Sequence, residues 1–130
     1  MTAISYIDAS ALVKLVVDEP ESVEMQRWYV EGERVLTSLV GVIETRRAVA
    51  RRAHDRAHLE HVIGAIEAVE ITVEIALRAA SIAPALIRTL DAIHLATALS
   101  LQPGLDGFVT YDDRLATAAR ALGLPVVSPA

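Results

Sequence analysis

The sequence predicts an α/β fold in which helices cover both faces of a mostly parallel sheet. Three observations support this. Short apolar segments alternate with segments of helical character, and such βα repeats build parallel sheets. The chain has 130 residues, which suits one domain, 1–130, with one core. Hydrophobic residues make up 53% of the chain, which excludes a disordered protein.

The elements of the first half are predicted from short apolar strands and from the polar caps that precede helices. In order, they are a strand at 4–7, helices at 11–17 and 21–30, a strand at 35–37, and helices at 39–53 and 55–67. Ser10 and Ser38 offer N-caps to the first and third helices. Pro20, preceded by two acids, suits the start of the second helix.

The second half continues the alternation and ends each helix at a proline or a glycine. Its elements are a strand at 69–72, helices at 74–82 and 89–101, a strand at 107–110, a helix at 114–122 and a strand at 125–127. Pro84, the Pro103-Gly104 pair and Gly123 follow the three helices. In open parallel sheets, ligands bind beyond the carboxyl ends of the strands, so functional residues are expected there.

Composition excludes several classes of protein. The chain has no cysteine, so it has no disulfide, thiolate metal site or cysteine nucleophile, and the cytoplasm is the expected compartment. No apolar run reaches the roughly 18 to 20 residues that cross a bilayer, and no membrane association is expected. The opening residues lack the basic segment of a signal peptide, and Asp8 interrupts their apolar run.

The net charge is −5, yet basic residues are concentrated in one short stretch. Such a cluster either contacts phosphates of a nucleic acid or is simply a solvated helix face, and the sequence leaves both interpretations open. The stretch contains Arg46, Arg47, Arg51, Arg52 and Arg56, together with His54 and His58.

Four of the seventeen acidic residues occupy positions that solvent exposure does not explain. Asp8 ends the first strand and Asp112 follows the fourth, so both point to the same edge of the sheet. Glu44 lies in an apolar helical segment, and Asp91 is the only acid between Glu74 and Asp106. Two carboxylates about 4 Å apart repel by about 4 kcal/mol at an effective dielectric constant of about 20. A divalent cation removes that cost, and oxygen ligands favour Mg²⁺ or Mn²⁺.

Each of the four acids also has a local explanation, which spacing alone leaves open. Asp8 can cap the first helix, Asp91 can be an N-cap, and Asp112 can be a turn residue after a strand. Glu44 can pair with Arg47 or Arg51 on its own helix.

Four segments, in order along nearly the whole chain, resemble the PIN-domain family and its VapC branch. They lie at 6–14, 37–44, 90–98 and 109–115, and the third, LDAIHLATA, is the most specific. The resemblance implies a three-layer α/β/α fold with a central parallel sheet of four or five strands. It maps Asp8, Glu44, Asp91 and Asp112 onto the acidic catalytic quartet, with Asp112 rather than Asp113 as the inward acid.

The resemblance implies a Mg²⁺- or Mn²⁺-dependent endoribonuclease that acts as a toxin on structured RNA such as transfer or ribosomal RNA. Asp8 and Asp91 are expected to hold the metal. Ser10 and Thr110 are expected to orient its carboxylate ligands. His94, one helical turn after Asp91, is expected to pack or to support the site rather than to act as a general base.

The resemblance also implies partners: a small VapB-type antitoxin whose tail covers the acidic site, and a second copy of the chain in a homodimer. A set of apolar residues fits a surface for a partner helix and ordinary core packing equally well; they are Val23, Met25, Trp28 and Tyr29. Two other functions stay open, a PIN nuclease of RNA processing and a non-catalytic binding module in a regulatory complex.

Overall fold

A five-stranded parallel sheet organises the chain, and the computed structural model describes residues 2–130 of it. The elements of these residues are β1 (Ile4–Ile7), α1 (Ala9–Val16), α2 (Ser22–Glu31), β2 (Arg34–Ser38), α3 (Leu39–Ala50), α4 (Arg56–Ala65), β3 (Glu67–Val69), α5 (Val73–Ser81), α6 (Thr89–Leu99), β4 (Gly107–Val109), α7 (Asp113–Ala121) and β5 (Val126–Val127). The strand order is β3-β2-β1-β4-β5, and every pair is parallel. The predicted mostly parallel sheet of four or five strands is confirmed.

Two apolar cores lie on opposite faces of the sheet, because side chains alternate along each strand. Ile7 of β1 belongs to one core, with residues of α1, α2, α3 and α4 such as Leu12 and Val49. Tyr6, its neighbour, belongs to the other, with Leu95 of α6 and Leu115 of α7. The molecule therefore has the predicted three layers, with the central strand buried from both sides.

The boundaries of three predicted elements are wrong near the middle of the chain. Helix α3 ends at Ala50, three residues early, and α4 ends at Ala65. The third strand is Glu67–Val69 rather than 69–72. Its last predicted residue, Thr72, instead accepts a hydrogen bond from the backbone N–H of Ile75 and caps α5. A threonine has an extended backbone both at the end of a strand and at the N-cap of a helix. The sequence alone therefore does not separate the two, and the strand was placed too late in the chain.

The helices that follow β1, β2 and β4 begin at the carboxyl edge of the sheet. Asp8, Ser38 and Asp112 are their N-caps, and each side chain accepts a backbone N–H of the first turn. Ser38 was predicted as a cap, whereas Asp8 replaces the predicted Ser10. The cap role considered for Asp8 therefore holds, whereas Asp112 caps α7 instead of being the turn residue considered for it, and both carboxylates lie at one edge.

Helix α6 is the apolar helix predicted in the second half, and it forms part of a core face. Its side chains Leu95, Ala96 and Ala98 are buried. Within residues 2–130, neither this helix nor any other is long and apolar enough to cross a membrane.

Candidate functional site at the carboxyl edge of the sheet

A cavity of about 460 Å³ lies at the carboxyl edge of the sheet, and all four acids singled out in the sequence line it. They come from four places in the chain: the end of β1, the middle of α3, the first turn of α6 and the cap of α7. The complete lining is Asp8, Ala9, Ser10, Glu44, Arg88, Thr89, Leu90, Asp91, His94 and Asp112.

Asp8 is the most buried carboxylate of the cavity, with 4% of its surface exposed. Its Oδ1 accepts hydrogen bonds from Ser10 Oγ at 2.7 Å and from the Ala11 N–H at 3.1 Å. Its Oδ2 accepts one from Thr110 Oγ1 at 2.7 Å. Burial raises the pKa of Asp8 above its usual range, and the bonds from Ser10 and Thr110 oppose that rise without cancelling it.

Ser10 and Thr110 connect the ends of β1 and β4 around this carboxylate. Ser10 Oγ accepts the backbone N–H of Tyr111 at 2.9 Å, and Thr110 Oγ1 accepts that of Asp112 at 3.0 Å. The two hydroxyl oxygens lie 3.3 Å apart. Both residues therefore lie where the sequence predicted, beside the first acid, and they hold its carboxylate in one orientation.

Asp91 and Asp112 face each other across an arginine that the sequence analysis did not single out. Arg88 Nε lies 3.4 Å from Asp91 Oδ2, and its Nη2 lies 3.8 Å from Asp112 Oδ2. Its side chain is 62% exposed, so solvent screens the guanidinium and it is a weak counter-charge to the two acids. A basic residue one turn before Asp91 was the available signal. The neighbour Asp113 is exposed on α7, so Asp112 is the inward acid.

Glu44 pairs with a histidine rather than with the arginines of its own helix. Its Oε1 lies 2.6 Å from His94 Nε2, and the Nδ1 of the same ring lies 2.6 Å from the Tyr6 hydroxyl. His94 and Tyr6 are both buried, and burial raises the pKa of Tyr6 above its usual range. His94 therefore packs in the core and also supports an acid of the cavity. Tyr6 was not singled out in the sequence, although it shares a face of β1 with the position of Asp8.

The donor set of the cavity fits a hard divalent cation held partly by water. Among the residues from 2 to 130, no group of three acids or histidines stands close enough to form a ready coordination shell. Mg²⁺, however, commonly takes one or two carboxylates and keeps several waters. The cavity supplies oxygen donors of that kind, and the charge of the buried Asp8 carboxylate is only partly offset by its neighbours.

The basic stretch divides into two groups in three dimensions. Arg46 pairs with Glu60 at 2.6 Å and Arg52 pairs with Glu19, both at the surface. A groove of about 790 Å³ shares Ala9, Ser10, Glu44 and Leu90 with the acidic cavity, and Arg46, Arg47 and Arg51 line it. Arg46 and Arg52 are paired with surface carboxylates, whereas Arg47 and Arg51 face the groove without such a pair among residues 2–130.

The predicted apolar partner surface is only partly a surface. Met25 is fully buried in the core, and Trp28 and Tyr29 pack against the same core. Val23 is 65% exposed. Three of these four residues thus serve core packing.

The parallel sheet between two helical layers and the four acids at its carboxyl edge define a three-layer α/β protein with an acidic site. Comparison with known proteins gives its family. The PIN domain model matches residues 5–121. Ribonuclease VapC47 of Mycobacterium tuberculosis is 37% identical over 130 residues, which cover 95% of this chain and 96% of the relative. The chain therefore belongs to the PIN-domain family, and its relative is a VapC protein.

Solved structures support the same fold. VapC20 of Mycobacterium tuberculosis, described as a Sarcin-Ricin loop cleaving toxin, has a TM-score of 0.74 and 18% identity, covering 96% of this chain and 99% of that chain. VapBC2 from Rickettsia felis, bound to a DNA fragment from their promoter, has a TM-score of 0.73 and 12% identity, covering 98% and 99%. At these identities the likeness concerns the fold alone.

Proposed function

We propose that this protein is an endoribonuclease that hydrolyses RNA phosphodiester bonds with Mg²⁺ or Mn²⁺, and that it is the toxin of a toxin–antitoxin pair. The observation that carries the proposal is the convergence of Asp8, Glu44, Asp91 and Asp112 on one cavity. A relative that this chain matches over 96% of that relative's length is named as a VapC ribonuclease, which supports the activity and the toxin role.

The chain's own residues have separate roles in this proposal. Asp8 and Asp91 are the principal ligands of the ion, and Glu44 and Asp112 orient the water around it or hold a second ion. The ion, when bound, lowers the pKa of the attacking water and offsets charge that develops on the phosphate oxygens. Ser10 and Thr110 keep the Asp8 carboxylate in place, and their hydrogen bonds to its two oxygens support this role. A histidine general base is not required.

The groove beside the cavity suits an RNA backbone. Arg47 and Arg51 line it, and neither forms an ion pair with a carboxylate among residues 2–130. Contacts of guanidinium groups with phosphates give affinity that falls with salt and does not depend on base sequence. Structured RNA such as transfer or ribosomal RNA is the substrate class proposed, by analogy with the VapC relatives.

A small antitoxin and a second copy of the chain are the partners proposed, and the cytoplasm is the proposed compartment. The solved relative from Rickettsia felis is a VapBC2 structure, which supports an antitoxin. Large apolar side chains exposed on one face of α5, Val73 at 76% and Leu77 at 66%, support an interface between protein chains. An antitoxin tail that carries positive charge would complement the acidic cavity.

Two other functions compete with this proposal. A PIN nuclease of RNA processing would share the cavity and the chemistry, but it would need no antitoxin. A non-catalytic binding module would bind a partner without cutting RNA. The burial of Asp8 argues against the second, because a carboxylate whose pKa is raised by burial destabilises a fold that does not use its charge.

The test is cleavage of a mixed transfer RNA pool by the purified chain, freed of any partner, with Mg²⁺, with Mn²⁺ and with a chelator. The proposal predicts discrete cuts that vanish with chelator and in the Asp91→Asn variant. Full cleavage by a folded Asp91→Asn protein would overturn the assignment. Absence of cutting in both metals by folded wild-type protein, on transfer and ribosomal RNA alike, would favour the binding module.

A further inference from the structure

His94 is a buried histidine whose two ring nitrogens both have a polar partner. The residue is 1% exposed and lies on α6. Its Nδ1 lies 2.6 Å from the Tyr6 hydroxyl on β1, and its Nε2 lies 2.6 Å from Glu44 Oε1 on α3. The ring of His94 on α6 thus joins Tyr6 of the central strand to Glu44 of α3, an acid of the cavity.

The hydrogen bonds around Tyr6 decide which ring nitrogen carries the proton. The backbone N–H of Ser38 donates to the Tyr6 hydroxyl oxygen at 3.1 Å. The hydroxyl has one hydrogen of its own, and His94 Nδ1, at 2.6 Å, is a well-placed acceptor for it; Thr37 Oγ1 is also near the hydroxyl, but its geometry does not meet that of a hydrogen bond. Nδ1 is therefore an acceptor, so a neutral ring carries its hydrogen on Nε2. That hydrogen points at the Glu44 carboxylate.

A glycine on α3 leaves room for Thr37 between the helix and the sheet, next to the ring. A Cβ placed on Gly41 would collide with Thr37 Oγ1 and would lie 3.4 Å from His94 Cε1. Glu44 follows Gly41 by three residues, so the two positions lie on the same face of α3. The helix therefore approaches the ring at Gly41 and presents its acid to the ring one turn later.

We propose that His94 is a positioning residue for RNA cleavage and that it acts through Glu44. Its Nε2–H, held by the Tyr6 hydroxyl and by the core, fixes the Glu44 carboxylate in the orientation that faces the cavity. Without it, a glutamate side chain that is 30% exposed would sample many rotamers. The imidazole does not transfer a proton, and it does not touch the RNA. This inference rests on the proposed nuclease function.

A matched pair of variants tests the role through kinetics. A glutamine amide places an N–H near the position of the histidine Nε2, whereas an asparagine amide reaches only the position of Nδ1. His94→Gln is expected to keep kcat within about threefold of wild type. His94→Asn is expected to lower kcat by roughly 10- to 100-fold, the range for residues that orient a ligand, with KM little changed.

A double-mutant cycle separates action through Glu44 from a structural effect. In a Glu44→Gln background, His94→Asn is expected to change kcat by less than about twofold, because the group it orients is already lost. An equal loss in the Glu44→Gln and wild-type backgrounds would overturn the inference. So would equal kcat values for His94→Gln and His94→Asn in proteins with matched thermal stability.

The protonation pattern gives a readout that does not need activity. In the folded protein, nitrogen NMR of His94 is expected to show a hydrogen on Nε2, the nitrogen that faces Glu44. An Nε2 without a hydrogen would overturn the inference while leaving the nuclease proposal untouched. If the wild-type protein cut no RNA, the nuclease proposal would fail, and with it the catalytic role of His94, even where the NMR result matched.

Discussion

Two hydrogen-bonded acid–base contacts of almost equal length occupy opposite regions of the sheet. Glu44 and His94 meet at 2.6 Å beside the acidic cavity, whereas Glu67 and Arg34 meet at 2.7 Å on the β3 side. The His94 side chain is 2% exposed, while those of Arg34 and Glu67 are about half exposed, at 46% and 50%. Distance alone therefore does not distinguish the two contacts, but burial does.

The difference in burial shows that the free-energy cost of burying polar and charged groups falls at the cavity and not at the β3 edge. Around the cavity, a buried carboxylate, a buried histidine and several hydroxyl groups hold one another in fixed positions, and burial raises the pKa of Asp8. At the β3 edge, water and salt screen the ion pair, so little depends on it. A buried carboxylate with a raised pKa is typical of functional sites, which supports the proposal that the cavity is functional.

The largest effect on RNA cleavage is expected when an acid inside the cavity is neutralised. Neutralising the exposed acid next to it in the sequence is the control. Asp112→Asn is predicted to lower RNA cleavage by more than about 100-fold, beyond the range for residues that only support a ligand. Asp113→Asn, one residue away and exposed, should cleave within about twofold of wild type. Both variants keep an oxygen at the start of α7. Equal cleavage by the two proteins would remove Asp112 from the site.

The arginines of the basic stretch differ in whether a carboxylate pairs with them, and we expect this to decide their contribution to RNA binding. Neutralising Arg47 and Arg51 to glutamine is predicted to weaken RNA binding about tenfold and to flatten its dependence on salt, because two phosphate contacts are lost. Neutralising Arg46 and Arg52, which pair with Glu60 and Glu19, should change the salt slope much less. Filter binding across a salt series measures both slopes, and indistinguishable slopes would refute the groove as the RNA path.

Two helical glycines compare tight packing next to the cavity with open space at the surface: Gly41 of α3 and Gly64 of α4. Gly41→Ala should destabilise the protein by about 1–3 kcal/mol, since its Cβ would collide with Thr37 Oγ1 beneath the site. Gly64→Ala in α4 should stabilise it by about 0.5–1 kcal/mol, because nothing lies within 4 Å of the added Cβ. Urea denaturation measures both changes. A stabilised Gly41→Ala protein would show that α3 does not approach Thr37 this closely.

The charge of Asp8 is predicted to destabilise the metal-free protein at neutral pH. Its pKa is raised in the folded chain, so its contribution to stability is full below the unfolded pKa and is lost as pH rises through the folded one. Asp8→Asn, which keeps an oxygen for the Ala11 N–H, should therefore raise Tm at neutral pH in chelator. The advantage should shrink as pH falls through the raised pKa. A lower Tm for the variant at neutral pH would contradict this.

The smallest effect is expected at the β3 edge. Glu67→Gln removes the charge that Arg34 contacts, yet Tm should stay within the error of the measurement at physiological salt. Thermal denaturation at low and high salt checks this. A clear loss of Tm that persists at high salt would mean that exposure does not separate the two regions.

The sequence predicted the fold and the positions of the acids from local rules. Parallel strands bring their carboxyl ends to one edge, which is enough to place Asp8 and Asp112 together. An acid in an apolar helix and a lone acid in an apolar stretch marked Glu44 and Asp91. The catalytic roles of these residues, the metal and the single-domain assignment stay predictions.

Contacts between distant parts of the chain were beyond local rules. The Tyr6–His94 and Glu44–His94 contacts join residues 88 and 50 positions apart, and no local pattern specifies them. Arg88 is exposed and has no periodic signature. The third strand was misplaced because threonine is common in strands, whereas in the structure Thr72 caps α5 through a hydrogen bond to its side chain. Tertiary contacts decided the role of His94, whereas the contacts of Thr72 with Ile75 and of Arg88 with Asp91 span only three residues.

Calorimetric titration of Mn²⁺ into the partner-free protein measures whether the acids of the cavity hold a divalent ion. Wild-type protein and Asp113→Asn are predicted to bind Mn²⁺ saturably with the same affinity, and Asp91→Asn to bind at least about tenfold more weakly. Equal affinity in all three proteins, or no saturable binding in the wild type, would contradict the account.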